Sequence, residues 1–225
     1  MIQWELLEAA AVRHMGAELR LYRRGDEFSI RLEGRELMNS RVHASEEALG
    51  ELACERIADR PSPRVLVGGL GMGFTLAALL SKLGPDADVI VSELVPEVVS
   101  WNRGALGELA KYPLRDSRVT VREGDVAELL EEERDRYDAI LFDVDNGPEA
   151  LPRSGNHRLY GEAGLAAVLG ALRAGGMFAV WSAGPNRVFT ERLCAAGFEV
   201  EEVGVRARGY GRGVRHTIWF ARRIS

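Results

Sequence analysis

"VLVGGLGMGFT", Val65 to Thr75, decides the reading of this chain. An apolar run breaks into glycines at Gly69, Gly71 and Gly73, and apolar residues then resume at helical spacing. A strand that ends in a glycine turn and opens a helix brings backbone close to a ligand, and the helix N-terminus favours negative charge. A triphosphate loop would need a lysine followed by serine or threonine, and there is none. A dinucleotide fingerprint would need a further glycine at longer spacing, which Leu76 and its neighbours do not supply. The phosphate ligands therefore lose ground to a nucleoside without phosphate.

Outward from this turn, strand patterns alternate with helix patterns. Val65–Val67 reads as a strand and 74–83 as a helix. "ADVIVSE" is a second strand and 96–103 a helix. "RVTVREGD" is a third strand, and 126–133 a short acidic helix. "YDAILFDVD" is a fourth strand, 161–173 a helix, "GGMFAVWSA" a fifth strand and 186–196 a helix. "FEVEEVGVRA" and "RHTIWFARR" follow as two strands with no helix between them. Such a series implies a parallel sheet with right-handed crossovers, closed by an antiparallel hairpin.

Acidic residues stand at three strand ends. Glu93 ends the second strand, where a carboxylate accepts hydrogen bonds from both ribose hydroxyls. Asp125 follows the third strand and suits an adenine amino group; it also suits the N-cap of the next helix. Asp143 ends the fourth. Ligands of open α/β sheets bind at that edge. A ribose, an adenine and a cationic tail describe S-adenosylmethionine or its decarboxylated relative. The spacing calls for no metal.

The first 44 residues differ. "AELRLYRRGDEFSIRLEGRELMNS" alternates polar and apolar residues around Gly25-Asp26 and again around Glu33-Gly34, which predicts a small antiparallel sheet. A sheet of that size needs support from the main domain or from a partner subunit. Two domains are expected: 1–44, a small N-terminal β-domain, and 45–225, the Rossmann-like domain. Ser45 is expected to cap the helix that follows, with Glu46 and Glu47 in its first turn.

The 225 residues carry 29 Lys and Arg against 34 Asp and Glu, a net charge of −5, which argues against nucleic acid as a partner. No apolar run approaches the ~18 residues of a membrane span. The first ten residues lack a basic start, so a cytoplasmic protein is expected, with no membrane partner. Cys54 and Cys194, far apart in apolar helical patterns, read as buried thiols rather than a disulfide.

The chain resembles the spermidine synthase family, aminopropyltransferases built on the class I methyltransferase fold. The likeness runs from about Arg31 to Ala183. It includes the small β-domain, "SEEALGEL", "VLVGGLGMGFTLAALL", "SELVPEVV", "DSRVTVREGD" and "YDAILFDVDNGP". The resemblance implies an α/β fold with a seven-stranded, mostly parallel sheet, a donor site over the glycine loop, and a homodimer. It implies donor contacts from Gly69, Gly71, Met72, Gly73, Glu93 and Asp125.

The departures concern the chemistry. The family loop, Gly-Gly-Gly-Asp-Gly-Gly, has its aspartate facing the donor's ammonium; Met72 stands there, which weakens selection against the carboxylate of intact S-adenosylmethionine. In the family's Tyr-x-Glu pair, Leu49 replaces the tyrosine and Glu51 fits the glutamate, a substrate-binding expectation. In the family's Asp-x-x-Asp-Pro-x-Gly-Pro loop, Asp143 matches the first aspartate, which deprotonates the acceptor amine. The second falls on Asn146, beside Asp145, and Asp145 is carried as a second catalytic candidate. His157 and Tyr160, in "RSGNHRLYG", are placed over the acceptor. Each has a plainer alternative as a strand-end cap or a satisfied surface or core residue.

The sum is an S-adenosylmethionine-dependent transferase. Met72 and Leu49 favour methyl transfer to a small acceptor, an amine among the options. Aminopropyl transfer from decarboxylated S-adenosylmethionine is the alternative, and a non-catalytic donor-binding protein a further one.

Overall fold

The structure, a computed structural model, describes residues 2–12, 16–144, 156–208 and 212–224, with backbone alone at 156, 157 and 212. Two sheets organise it. The smaller is a four-stranded antiparallel meander of β1 (Glu5–Val12), β2 (Ala17–Arg24), β3 (Glu27–Leu32) and β4 (Arg35–Asn39). Its turns fall at Gly25-Asp26 and Glu33-Gly34, as the alternation predicts, with Gly25 and Gly34 in the left-handed region. Strand β1 is an addition to that expectation. "ELLEAAAV" lacks a period of two, and its strand form comes from pairing with β2, Ala9 opposite Arg20.

The larger sheet holds β5 (Arg64–Gly68), β6 (Asp88–Glu93), β7 (Val119–Glu123), β8 (Tyr137–Phe142), β9 (Leu172–Ser182), β10 (Phe198–Arg208) and β11 (Arg212–Arg223). Their order is β10-β11-β9-β8-β5-β6-β7. The first five run parallel, and β11 is inserted antiparallel between β9 and β10. The helices are α1 (Ala44–Arg56), α2 (Phe74–Lys82), α3 (Pro96–Arg103), α4 (Val126–Glu132), α5 (Asn156–Leu159), α6 (Glu162–Ala171) and α7 (Arg187–Ala195). None of the described helices is long and apolar enough to cross a membrane.

Central strands are buried on both faces, as parallel sheets require. Their period of two splits the apolar residues between two cores. Val65, Val67, Val89, Val91 and Leu141 face α1 to α3 and join Leu21, Phe28 and Ile30 of the small sheet. Leu66, Ile90, Ile140, Phe142 and Phe178 face α4, α6 and α7. Leu21 and Ile30 are almost fully buried, each contributing roughly 1.5–3 kcal/mol relative to exposure. The small sheet is therefore supported by the main one. Trp101 of α3 adds a polar tie, its Nε1 donating to Glu8 Oε2 of β1 at 2.9 Å.

Two expectations change. Helix α1 starts at Ala44, with His43 at the N-cap and no side-chain cap. Ser45 does not cap; its Oγ lies 2.8 Å from His216 Nδ1 on β11. Of the two free cysteines Cys54 is buried and Cys194 exposed, on the solvent side of α7. Burial pushes the Cys54 thiol up to about 12.

Candidate functional site

Register brings the functional residues to one edge. Gly68 pairs with Ser92 on β6 and with Phe142 on β8, and Glu93 pairs with Glu123 on β7. The residues that follow these positions leave the sheet together, at the C-terminal ends of the parallel strands, where such sheets bind ligands.

The glycine loop is shaped by the protein as much as for a ligand. Gly69 has φ +88, and a Cβ there would overlap the carbonyl oxygen of Asp143. Gly71 has φ +52, and a Cβ would lie 3.1 Å from Met38 Sδ on β4. A side chain at either position is therefore strained by conformation and crowded by a neighbour. Gly73 is the N-cap of α2, also in the left-handed region.

Glu93 is buried and ties the edge together. Its Oε2 accepts from Leu70 N–H and its Oε1 from Val95 N–H, both at 2.9 Å. The carboxylate is thus held in place between the glycine loop and the start of α3. Asp125 is the N-cap that the sequence allowed. It caps α4, accepting from Ala127 N–H at 2.9 Å, and it lines the cleft.

Asp143 follows the last residue of β8. Its Oδ2 lies 2.6 Å from Thr75 Oγ1, in the first turn of α2. Thr75 Oγ1 also lies 3.1 Å from the backbone oxygen of Glu46 on α1. Burial pushes the Glu46 carboxyl well above the ordinary carboxylate range, the nearby charge of Asp143 pushes it further, and Glu47 adds to this. His216, beside the same helix end, packs edge-on against Trp181 with ring centres 4.8 Å apart. Burial lowers its pKa, which favours the neutral imidazole.

Several of these residues border a cleft that is open to solvent. One wall is the strand edge with Gly69, Gly71, Glu93, Asp125 and Asp143. The other is the small sheet, which contributes Val12, Leu19, Ile30, Leu32, Leu37 and Met38. No lysine, arginine or histidine is among the described lining residues.

Other candidates lie elsewhere. Met72 is 1% exposed and packs in the core, and it is not part of the cleft lining. Glu51 is exposed on α1 and pairs with Lys82 at 3.5 Å. It sits five residues beyond Glu46, and about 100° per residue turns it away from Asp143. Tyr160 belongs to the core: it is 2% exposed, with its ring edge-on to Phe142 and Phe189. Its neighbour Leu159 lines the cleft instead. His157 lies on α5, and its side chain is outside the described residues, as is Asp145 altogether.

Sequence reasoning passed over Thr75 and Glu46. Thr75 had a signal: it is the one hydroxyl in the first turn of the apolar "FTLAALL" and is 3% exposed. Glu46 was read as a first-turn acid, and nothing local says that it meets a strand end almost a hundred residues later.

The parallel order with an inserted antiparallel β11 defines a class I methyltransferase-type fold, with cleft-lining acids at the ends of β6, β7 and β8. The added N-terminal meander makes it that of the spermidine synthases. A spermidine synthase in complex with the transition-state analogue AdoDATO superposes with a TM-score of 0.78 at 19% identity, over 96% of this chain and 73% of the other. Spermidine synthase from Thermotoga maritima gives 0.76 at 18%, over 96% and 72%. A probable spermidine synthase from Corynebacterium glutamicum gives 0.64 at 14%, over 97% and 79%. No protein-family model matches the sequence, and no curated protein matches it.

Proposed function

We propose that this protein is an adenosyl-sulfonium-dependent alkyltransferase acting on an amine. The observation that carries the reading is the row of Glu93, Asp125 and Asp143 along one cleft, at the ends of successive parallel strands. In this reading Glu93 accepts from the ribose hydroxyls and Asp125 from the adenine amino group. Asp143 takes the acceptor's ammonium proton. The freed nitrogen lone pair then forms a bond to the carbon on sulfur, and the carbon–sulfur pair leaves with the sulfur as a neutral thioether. The fold shared with spermidine synthases supports the same chemistry.

For the donor, Met72 favours intact S-adenosylmethionine and methyl transfer. It replaces a carboxylate that would repel the donor's own, and its side chain is buried. Aminopropyl transfer from decarboxylated S-adenosylmethionine is the second reading. A described lining with carboxylates and no cationic side chain suits a donor with two positive charges. Calorimetric titration with both donors, side by side, decides: tighter binding of the intact donor is expected, and tighter binding of the decarboxylated one makes aminopropyl transfer the reaction. Binding of neither removes the proposal. A homodimer, the two-domain division at 44/45 and a cytoplasmic setting belong to the same reading; a monomer in sedimentation at micromolar concentration would remove the first.

A further inference from the structure

Behind the cleft wall, Thr75 Oγ1 lies within hydrogen-bond reach of both Asp143 and the backbone of a second acid, Glu46, whose carboxyl feels the charge of Asp143. Two carboxyls in one partly buried corner compete for one proton, and which of them holds it decides which can act as a base. The neighbours differ. From α1, Glu46 has Glu47 and His43 on its own helix, His43 Nδ1 being 3.1 Å from Glu47 Oε1. From β11, His216 bonds to Ser45 rather than to either acid. From α2, the facing group is Thr75, which does not titrate.

Thr75 has a single hydroxyl proton and two acceptors within reach. The carboxylate oxygen of Asp143 is at 2.6 Å and the carbonyl of Glu46 at 3.1 Å. The carbonyl lies inside α1, whose own ladder serves it. Hydrogen bonds to an ionised acceptor are shorter and roughly twice as strong as neutral ones. The proton therefore goes to Asp143. Thr75 is also rigid: its side chain is branched at Cβ, 3% exposed, and set on the first turn of α2 directly after the glycine loop.

We propose that Thr75 is a positioning residue: by donating to Asp143 Oδ2 it fixes Asp143 as the proton acceptor of the Glu46–Asp143 pair. This deepens the functional assignment above and rests on it for its meaning, although the placement of the proton does not. In the reaction, Asp143 arrives ionised, gains the acceptor's proton and becomes neutral, and afterwards returns that proton to solvent.

The test is a carboxyl carbon-13 NMR titration of the full chain, assigned with Asp143→Asn and Glu46→Gln, and run on wild type, Thr75→Val and Thr75→Ser. In the wild type, Asp143 ionises at lower pH than Glu46. Thr75→Val raises the proton affinity of Asp143 about tenfold, the worth of one hydrogen bond to a charged group. Thr75→Ser, which keeps the hydroxyl, restores it. A wild type in which Glu46 ionises first overturns the proposal without any variant at Thr75. So does an Asp143 midpoint that is the same in Thr75→Val as in the wild type. If Thr75→Val does not fold, Thr75→Ala is read in the same way. Calorimetry with S-adenosylmethionine and its decarboxylated form is run in parallel: no binding by wild type counts against the functional assignment, and an unmoved titration counts against Thr75 alone.

Discussion

Asp138 and Asp143 stand at opposite ends of one strand and are treated in opposite ways. Asp138, near the start of β8, is 2% exposed. Its Oδ2 accepts from Arg173 at 2.6 Å and from the backbone N–H of Arg64 at 2.9 Å, and Arg60 is 3.8 Å from Oδ1. Asp143, just past the end, receives a threonine hydroxyl and lies close enough to Glu46 to raise its pKa. A carboxylate set among guanidiniums is matched in charge and serves the fold. A carboxylate set beside another acid is costly unless a cation arrives. The same residue type is structural where the strand begins and, in the proposed function, catalytic where it ends.

The largest effect that would break this contrast comes from Asp143→Asn. Donor binding and the urea midpoint are expected to stay near wild type, while release of the thioether product, followed by mass spectrometry, falls about 10²–10⁴-fold. Unchanged turnover would mean that Asp143 is not the base. Asp138→Ala should do the reverse. It leaves Arg64 N–H and Arg173 without their acceptor, at a cost of about 1.5–3 kcal/mol in urea unfolding, with donor affinity unchanged.

Glu46→Gln sharpens the contrast through pH. The folded state holds the Glu46 proton above the ordinary value of 4.5, and the unfolded chain does not. Above that pH the unfolded state binds fewer protons than the native state, so wild-type stability falls as pH rises. The glutamine escapes this loss. Its melting temperature should exceed that of wild type at pH 7 to 8 by about 2–4 °C for each kcal/mol relieved, and the gap should close near pH 4. His216 works in the opposite sense and more weakly. Its folded pKa is lowered below 6.5 by burial, so its contribution is whole above the unfolded value and is lost as pH falls. Replacing it by glutamine should flatten the stability profile between about pH 7 and 5, read by the same melts.

Much of the fold was legible because its signals are local. The turn at Gly25-Asp26, the glycine loop, and helix α3 beginning at Pro96 each follow from a few adjacent residues. The cap that Asp125 makes was legible for the same reason, since Ala127 stands two residues on; Glu93 reaches Val95 locally, but its bond to Leu70 N–H spans 23 positions. The rest depends on distant neighbours. Ser45 was a cap by sequence, but the partner that claims its hydroxyl is His216, 171 positions away. Glu51 matched a motif by spacing, yet helix rotation gives Glu46 the place near Asp143. Met72 stood at a loop position that faces a ligand in the family resembled, and the apolar core around it claimed its side chain.

The seam between the two sheets has one more consequence. The cleft has one wall on each, so any occupant touches both, and its binding free energy is added to their cohesion. The meander alone is too small to be rigid. Amide exchange in β2 and β3, the strands carrying Leu19, Ile30 and Leu32, is therefore expected to slow on filling, which would make the N-terminal sheet a built-in gauge of occupancy.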